Sequence, residues 1–284
     1  MQIDKITSFR NRTCETIDKL SVLAAKNRPD EDFFPIGFPL FDSAMDGGVR
    51  GGELITVSAQ TGEGKSSWCQ QVSTNLSKNG VPSLWLSYEM GLYYLQEKFK
   101  KITEDDLSIY APKDLISNEI SIIKEWIDEA SEEKACKVVF IDHLHYLIPL
   151  SGVENSSMLV GAVVRGLKRL AIETNTIIFL IAHTKKIYQG EELNLSSIRD
   201  SSLVAQESDY VFLIKREKKP VGGKMDGNEG STYLNESTIY LAKNRRKGEL
   251  LYLKCFYENG VFKPIITIYA EKDIPLNYFD GKNY

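Results

Sequence analysis

Short apolar runs alternate with helical patterns along the central part of the chain. Runs of six or seven residues predict strands at 53–58, 82–87, 137–142 and 176–182. Apolar residues at helical spacing predict helices between them, over 64–79, at Ile116, Ile120, Ile123, Ile127 and Ala130, and at Met158, Ala162, Val163, Leu167, Leu170 and Ala171. Strands that are apolar on both faces and alternate with helices are typical of a mainly parallel sheet with helices on both faces. The predicted fold class is therefore α/β.

The pattern changes in the last third of the chain. A fifth apolar run at 210–214 is followed, without a long helix, by runs at 237–243 and 249–256 that alternate more strongly. This alternation predicts an antiparallel C-terminal extension of the sheet. The intervening segment 217–236 is charged and glycine-rich and has no apolar periodicity, so we expect a mobile surface excursion there.

The N-terminal residues have a separate pattern. Apolar side chains at mostly helical intervals predict an amphipathic helix over 2–25, namely Ile3, Ile6, Phe9, Ile17, Leu20 and Leu23. A polar linker containing Pro29 follows, so residues 1–33 are predicted to form a helix and linker, and 34–284 the main domain. The apolar stripe must be buried on its own domain or on a neighbouring subunit, and the sequence leaves both open.

Composition and charge limit the kinds of protein this chain can be. The chain has 284 residues, of which 42% are hydrophobic, enough for one large core. Its net charge of -4 argues against coating nucleic acid through bulk positive charge, so any such contact requires a local basic surface. The four cysteines are widely spaced, which predicts reduced, buried thiols. We expect a cytoplasmic protein with no membrane partner, because neither a signal peptide nor a membrane-length apolar run is evident.

The most specific motif lies between the first predicted strand and the first long helix. It consists of Ala59, Gln60, Thr61, Gly62, Glu63, Gly64, Lys65, Ser66 and Ser67. Such a strand–loop–helix unit binds a nucleoside triphosphate, because glycines let the backbone approach the phosphates and the helix N-terminus attracts anions. Lys65 would contact the β- and γ-phosphates of ATP, and the Ser66 hydroxyl would bind Mg²⁺. The usual first glycine is replaced by Ala59, whose small side chain should leave the loop intact.

Polar residues end three of the predicted strands. Ligands of open α/β sheets bind at the carboxyl ends of the strands, so these residues should lie beside the phosphate loop. We expect Asp142 to hold Mg²⁺, Glu89 to act as the general base for water, and His183 to sense the γ-phosphate. A metal site at His143 and His145 would need further ligands that the sequence does not reveal, so a structural role is favoured for both.

Several ordered motifs together resemble one known family. They are Gly37-Phe38-Pro39-Leu40-Phe41-Asp42, Gly51-Gly52-Glu53-Leu54-Ile55, the phosphate loop, Leu86-Ser87-Tyr88-Glu89-Met90, Phe140-Ile141-Asp142-His143-Leu144, Ala182-His183, Ser197-Ile198-Arg199-Asp200-Ser201 and Ala242-Lys243-Asn244-Arg245. In this order they resemble the C-terminal RecA-like motor domain of DnaB-type replicative helicases, with kinship to phage helicase-primase and Twinkle. The resemblance covers about residues 34–270 and implies a RecA-like P-loop NTPase fold.

The resemblance also implies roles for residues outside the phosphate loop. Lys243 and Arg245 match the basic pair that family members insert into the active site of the neighbouring subunit. The loop that lines the central channel and grips single-stranded DNA corresponds to Arg199, Asp200, Ser201 and Ser202. Lys185 and Lys186 would add positive potential beside this loop.

A weaker correspondence puts Arg216 and Phe256 on either side of the adenine base. Two departures from the family pattern are Ala59 and Ala205, the second of which stands where the family has an acidic residue. The family's larger N-terminal domain is not recognisable in the sequence, so ring formation would depend on motor contacts, on the 2–25 helix or on another protein.

The resemblance implies an ATP-hydrolysing motor that forms a homohexameric ring, moves along single-stranded DNA and unwinds duplexes. A primase or a helicase loader would be a further partner. The alternative is a recombinase-like or ATP-switched DNA-binding protein of the same fold that does not unwind DNA. The phosphate loop and the strand-end acids are common to both hypotheses and do not distinguish them.

Overall fold

The computed structural model describes residues 32–115, 117–148, 156–185, 193–198, 201–220 and 231–265. Every element described below belongs to the compact unit Phe33–Tyr284. The helix predicted over 2–25 lies outside the described residues, and the domain boundary after residue 33 stays a prediction.

The described part of the chain contains helices, strands and two short 3₁₀ turns. The α-helices are α1 (Pro39–Ala44), α2 (Lys65–Lys78), α3 (Leu92–Lys100), α4 (Ile120–Lys134), α5 (Ser156–Thr174) and α6 (Ser201–Glu207). The strands are β1 (Leu54–Ala59), β2 (Ser83–Ser87), β3 (Ile109–Tyr110), β4 (Val138–Asp142), β5 (Ile177–His183), β6 (Tyr210–Pro220), β7 (Ser231–Asn244), β8 (Leu251–Glu258) and β9 (Val261–Pro264). The 3₁₀ turns are Leu144–Leu147 and Leu195–Ser197.

All these strands form one sheet in the order β3-β2-β4-β5-β1-β6-β7-β8-β9. In this spatial order, the neighbouring strands β3, β2, β4, β5, β1 and β6 pair in parallel, and β6, β7, β8 and β9 pair antiparallel. In the register of the parallel part, Ala59 pairs with His183 and Ser87 pairs with Asp142. The carboxyl ends of β1, β2, β4 and β5 therefore meet at one edge of the sheet.

Side chains of the central strands divide between two cores. In β4, Val138 and Phe140 face one core, and Val139 and Ile141 face the other. This alternation is the two-residue period of a strand that is buried on both faces. Helices α2 and α3 contribute to the first core, and α4 and α5 to the second, so helices cover both faces of the sheet.

The predicted α/β class is confirmed, and the four central strands begin one residue later than predicted. The predicted helix at 64–79 is α2, and the other two patterns correspond to α4 and α5. The short elements α1, α3, β3 and β9 were not predicted, since each is too short, at two to nine residues, to establish a period. Among the described residues, no helix combines the length and apolar character needed to cross a membrane.

One expectation about the C-terminal half is wrong. The segment 217–236 was expected to be a surface excursion, but β6 continues to Pro220 and β7 begins at Ser231. The backbone of Lys218 pairs with that of Tyr233, and Pro220 pairs with Ser231. An antiparallel ladder requires backbone hydrogen bonds rather than an apolar face, so polar composition hid these strand ends. Residues 221–230 lie outside the described part.

Phe212 of β6 belongs to an aromatic cluster in the first core, and its substitution tests the packing there. The fully buried Phe212 ring lies 4.7 Å from Trp68 and 5.1 Å from Phe41, measured between ring centroids. We expect Phe212→Ala to lower the free energy of unfolding by about 3–5 kcal/mol, measured by urea denaturation. Tyr93→Ala is the matched control, since this aromatic side chain is 68% exposed and its loss should change stability by less than about 0.5 kcal/mol. Equal effects of the two substitutions would contradict this packing.

Candidate nucleotide-binding site

A loop between β1 and α2 forms the base of the site. Gly62 and Gly64 have positive φ angles of 85° and 98°, a region that other residues rarely adopt. A Cβ atom added to Gly64 would lie only 2.8 Å from Cζ of Phe262, so this position also requires glycine for space. Ala59, which replaces the usual first glycine, is fully buried in the core as the last residue of β1. Its methyl group is accommodated by core packing.

A cavity of about 390 Å³ lies over this loop, within the range typical of small-ligand sites. Thr61, Gly62, Gly64 and the first turn of α2 line one side. Glu89 contributes from the residues after β2, and three residues that the sequence did not single out also line the cavity: Met90, Lys98 and Tyr257. Lys65 is the first residue of α2 and is only 6% exposed, so its ammonium group belongs to the interior of the site. The unpaired amides of a helix N-terminus favour a phosphate here.

Asp142 and Ser66 form a pair that fits a magnesium ion. Asp142 ends β4 and is 1% exposed, and its carboxylate accepts a hydrogen bond from the Ser66 side chain. Burial raises the pKa of Asp142, and the nearby charge of Glu89 raises it further. Its Oδ1 atom is buried and has no hydrogen-bond partner among the described residues. An unpartnered buried carboxylate oxygen beside a hydroxyl is the kind of donor set that Mg²⁺ prefers.

Glu89 is positioned by the turn that follows β2. The backbone amides of Tyr88 and Glu89 both donate to the carbonyl oxygen of Asp142, at 2.7 and 3.2 Å. The Glu89 carboxylate lies 3.6 Å from Nε2 of His143 and is partly open to solvent. The predicted general base therefore lines the cavity beside the predicted magnesium ligand.

Two histidines meet at the edge of the site. His143 is buried, and its ring packs against His183 at a centroid distance of 4.3 Å. Ligand atoms of Glu89, His143 and His183 all lie within 4.8 Å of one another. Two imidazoles and a carboxylate are a donor set suited to ions such as zinc. His145 is not part of this group, and the structural role favoured for His143 and His145 stays a prediction. His145 instead follows within the 3₁₀ turn Leu144–Leu147.

This proximity of His143 and His183 follows from the strand register, which the sequence pattern does not reveal. Asp142 of β4 pairs with Ile181 of the neighbouring β5, so His143, which follows Asp142, and His183, which ends β5, lie at the same edge of the sheet. Burial, together with the neighbouring His183 and His145, lowers the pKa of His143 to about 3, so its imidazole is neutral at physiological pH. His143 can therefore accept or donate one hydrogen bond without adding charge to the site.

His183 ends β5 directly beside Ala59, at the edge of the phosphate loop. The next residue, Thr184, forms a β-bridge with Ile198, and the amide of Lys185 donates to the Ser197 carbonyl at 2.7 Å. The strand that ends in the predicted sensor is thus bonded to the segment leading into the predicted DNA loop. Lys186, Arg199 and Asp200 lie outside the described residues, and Ser201 and Ser202 begin α6. Their DNA contacts, and that of the exposed Lys185, stay predictions.

Lys243 and Arg245 lie at the opposite end of the sheet from the phosphate loop of their own chain. Because β7 runs antiparallel to β6, the end of β7 returns to the start of β6, next to the start of β1. Lys243 Nζ donates to the Ala205 carbonyl at 2.6 Å, and Arg245 donates to Asp209 Oδ1 at 3.0 Å. Burial and the charge of Arg245 lower the pKa of Lys243 to about 8. In this register Lys243 lies level with Thr56, about 10 Å before Ala59 at about 3.3 Å per residue. Arg245 lies further from the loop, because its amide bonds to Asp209, which in turn bonds to Leu54 at the start of β1.

Of the residues predicted to flank the adenine base, Phe256 lies outside the cavity, and its neighbour Tyr257 lines it. Tyr257 lines the cavity and donates a hydrogen bond to Ser67 Oγ at 3.1 Å, whereas Phe256 is 38% exposed and does not line it. The Arg216 guanidinium lies 4.5 Å from the centre of the Tyr257 ring. Successive strand residues face opposite sides, so Phe256 and Tyr257 lie on different faces of β8 and only Tyr257 lines this cavity. Tyr257 is the better candidate for contact with a nucleotide.

Comparison with known proteins agrees with this geometry. Residues 92–263 match the family model of the DnaB-like helicase C terminal domain. The chain belongs to this family. Similar curated proteins include the DNA helicase/primase of Enterobacteria phage T3, 21% identical over 61% of this chain and 37% of that protein. Replicative DNA helicase DnaB of Rickettsia prowazekii is 27% identical over 44% of this chain and 28% of that protein. This DnaB-like chain therefore spans well under half the length of these relatives.

Solved structures support the RecA-like fold of the DnaB-like domain. A DnaB-like replicative helicase studied with its interactions with primase has a TM-score of 0.69 and 18% identity, covering 87% of this chain and 68% of that one. The solved structure of another ATPase domain has a TM-score of 0.68 and 18% identity, covering 86% of this chain and 96% of that one. At this level of identity the similarity establishes the fold.

Proposed function

We propose that this chain is the ATP-driven motor of a DNA helicase, in which each nucleotide site is completed by a neighbouring copy. The observation that carries the proposal is the location of Lys243 and Arg245 at the end of the sheet remote from their own phosphate loop. Arg245 lies beside the start of β1, away from the loop at its other end, and its side chain is 48% exposed, so it is available to the nucleotide of another subunit.

The chemistry follows from the residues around the cavity. Lys65 and the amides of α2 bind the triphosphate of ATP, and Ser66 and Asp142 hold Mg²⁺. The bound ion would neutralise phosphate charge. Glu89 orients and deprotonates the attacking water, and His183 contacts the γ-phosphate. His143 lies close enough to the Glu89 carboxylate, at 3.6 Å, to limit its orientation.

The neighbouring subunit supplies the positive charge that hydrolysis requires. Arg245 and Lys243 would leave the carbonyls at the end of α6 and contact the γ-phosphate across the interface. A repeated interface of this head-to-tail type closes into a ring when the rotation between subunits allows it, and a homohexamer is the proposed form.

Motion along single-stranded DNA would be coupled to hydrolysis through β5. His183 senses the γ-phosphate, and the bonds of Thr184 and Lys185 to residues 197–198 connect it with the predicted DNA loop. Arg199, Ser201 and Ser202 would grip the DNA backbone without reading its sequence. A structural relative was studied with primase, and a primase or a loader is a proposed partner here as well.

A strand-separation assay on a forked DNA duplex with ATP and Mg²⁺ tests this function. We expect the wild-type protein to separate the strands and Lys65→Ala to abolish both ATP binding and unwinding, because the phosphates lose their buried cation. Lys78→Ala is the matched control at the other end of α2, where the lysine is 48% exposed and paired with Asp105, and it should retain activity. A wild-type protein that hydrolyses ATP but never moves along DNA would disprove the motor.

The second candidate function is a RecA-fold DNA-binding protein that does not unwind duplexes. Similarity to the DNA repair protein RadA of Bacillus subtilis favours it, at 25% identity over 62% of this chain and 37% of that protein. Electron microscopy with a non-hydrolysable nucleotide separates the two candidates. Closed six-fold particles support the helicase, and open helical polymers support the alternative.

A further inference from the structure

A carboxylate lies inside the loop that is built to hold phosphate. Glu63 stands between Gly62 and Gly64 and is only 4% exposed. Burial raises its pKa, and the positive charges of Lys218 and Lys215 oppose this rise. An anionic group in this position repels a triphosphate unless a cation compensates it.

The compensating cation comes from a different part of the fold. Lys218 Nζ lies 3.3 Å from Glu63 Oε1 and donates a hydrogen bond to Gln60 Oε1 at 3.0 Å. Two hydrogen bonds within the loop also connect Gln60 with Glu63. The backbone amide of Gln60 donates to Glu63 Oε2 at 3.3 Å, and the backbone amide of Glu63 donates to the backbone carbonyl of Gln60 at 3.2 Å. Lys218 therefore contacts both side chains that fix the first half of the loop.

The fold explains how Lys218 reaches this position. Strand β6 is paired with β1 and extends beyond the end of β1, so its outer half runs past the phosphate loop. A register irregularity between Arg216 and Lys218 interrupts the β6–β7 ladder. Such irregularities change the direction of side chains, and here Lys218 contacts the loop. The Lys218 side chain is 35% exposed and that of Glu63 is 5% exposed, so solvent only partly screens the pair.

We propose that Lys218 is a positioning residue for the nucleotide, which neutralises Glu63 and holds the phosphate loop in the shape that accepts a triphosphate. This inference rests on the proposed binding of ATP to the loop. It assigns a role to the part of β6 that the sequence suggested was an irregular excursion.

A double-mutant cycle on nucleotide affinity tests the pair. The dissociation constant of a fluorescent ATP analogue with Mg²⁺ is measured for wild type, Lys218→Met, Glu63→Gln and the double variant. We expect Lys218→Met to weaken binding about tenfold, which corresponds to about 1.4 kcal/mol. Glu63→Gln should restore most of this affinity in the double variant, because no buried charge then needs compensation. Lys218→Arg should bind close to wild type.

The matched control is Lys124→Met, which removes an exposed lysine that pairs with Asp128 on α4. It should not change affinity. Equal dissociation constants for all variants, or losses that simply add in the double variant, would disprove the charge pair while leaving ATP binding established. If the wild-type protein binds no nucleotide, the proposed function fails and this inference fails with it, so the two failures are distinguishable.

Discussion

Glu89→Gln should retain nucleotide binding and lose hydrolysis. The amide keeps the size of the side chain but cannot accept a proton from water, and removal of a general base lowers rates about 10²- to 10⁴-fold. The carboxylate lines the cavity beside Asp142, and the two backbone hydrogen bonds to the Asp142 carbonyl do not involve the substituted atoms. The loop geometry is therefore expected to survive the substitution.

Single-turnover hydrolysis of radiolabelled ATP measures the chemical step, and equilibrium binding of the same nucleotide measures affinity. Glu97→Gln is the matched control, since this exposed glutamate on α3 pairs with Lys100 and does not line the cavity. A Glu89→Gln protein that hydrolyses ATP within about threefold of the wild-type rate would exclude Glu89 as the base, since general-base loss costs far more.

Subunits carrying Arg245→Ala should be nearly inactive alone and recover activity when mixed with Lys65→Ala subunits. In the proposed composite site each variant lacks a different half, so an interface that joins the intact loop of one with the intact arginine of the other would be complete. An arginine supplied by a neighbouring subunit is worth about 10³- to 10⁵-fold in rate. Steady-state ATPase activity across mixing ratios, with single-stranded DNA present, measures the recovery.

Arg165→Ala is the control for this experiment, because Arg165 is an exposed arginine near the same end of the sheet and pairs with Glu207 at 3.0 Å. Its activity should stay near that of wild type. Arg245 also pairs with Asp209, so a loss of activity in the single variant alone would not separate folding from catalysis. Recovery on mixing does separate them, and its absence would contradict an active site shared between subunits.

The central sheet was predictable because its strands are apolar on both faces and are separated by helical spacing. The strands β1, β2, β4 and β5 and the helix α2 were located to within one residue at their starts. The outer halves of β6 and β7 were not predicted, because they are held by backbone pairing and polar contacts, which leave no hydrophobic period in the sequence. The order of strands within the sheet could not be predicted from the hydrophobic pattern either, since that order depends on which crossover connections bury the most surface.

The site was predicted most reliably where residue type and strand end coincide. Asp142 and Glu89 follow from this rule and Lys65 from the strand–loop–helix motif, and the structure brings them to one cavity or its immediate edge. Contacts between distant segments were missed. The approach of Lys218 to Glu63 joins residues that are 155 positions apart, and Tyr257 reaches Ser67 from β8. Residue spacing carries no information on such contacts, which arise only when the sheet has formed.

The distance between the basic pair and the loop of the same chain has a consequence for how the protein would behave at low abundance. A lone copy would bind ATP without hydrolysing it at an appreciable rate, since the proposed catalytic Arg245 would lie away from its own nucleotide. Consumption of ATP would then begin only as copies gather, so dilution alone would act as an off state, without any dedicated inhibitor.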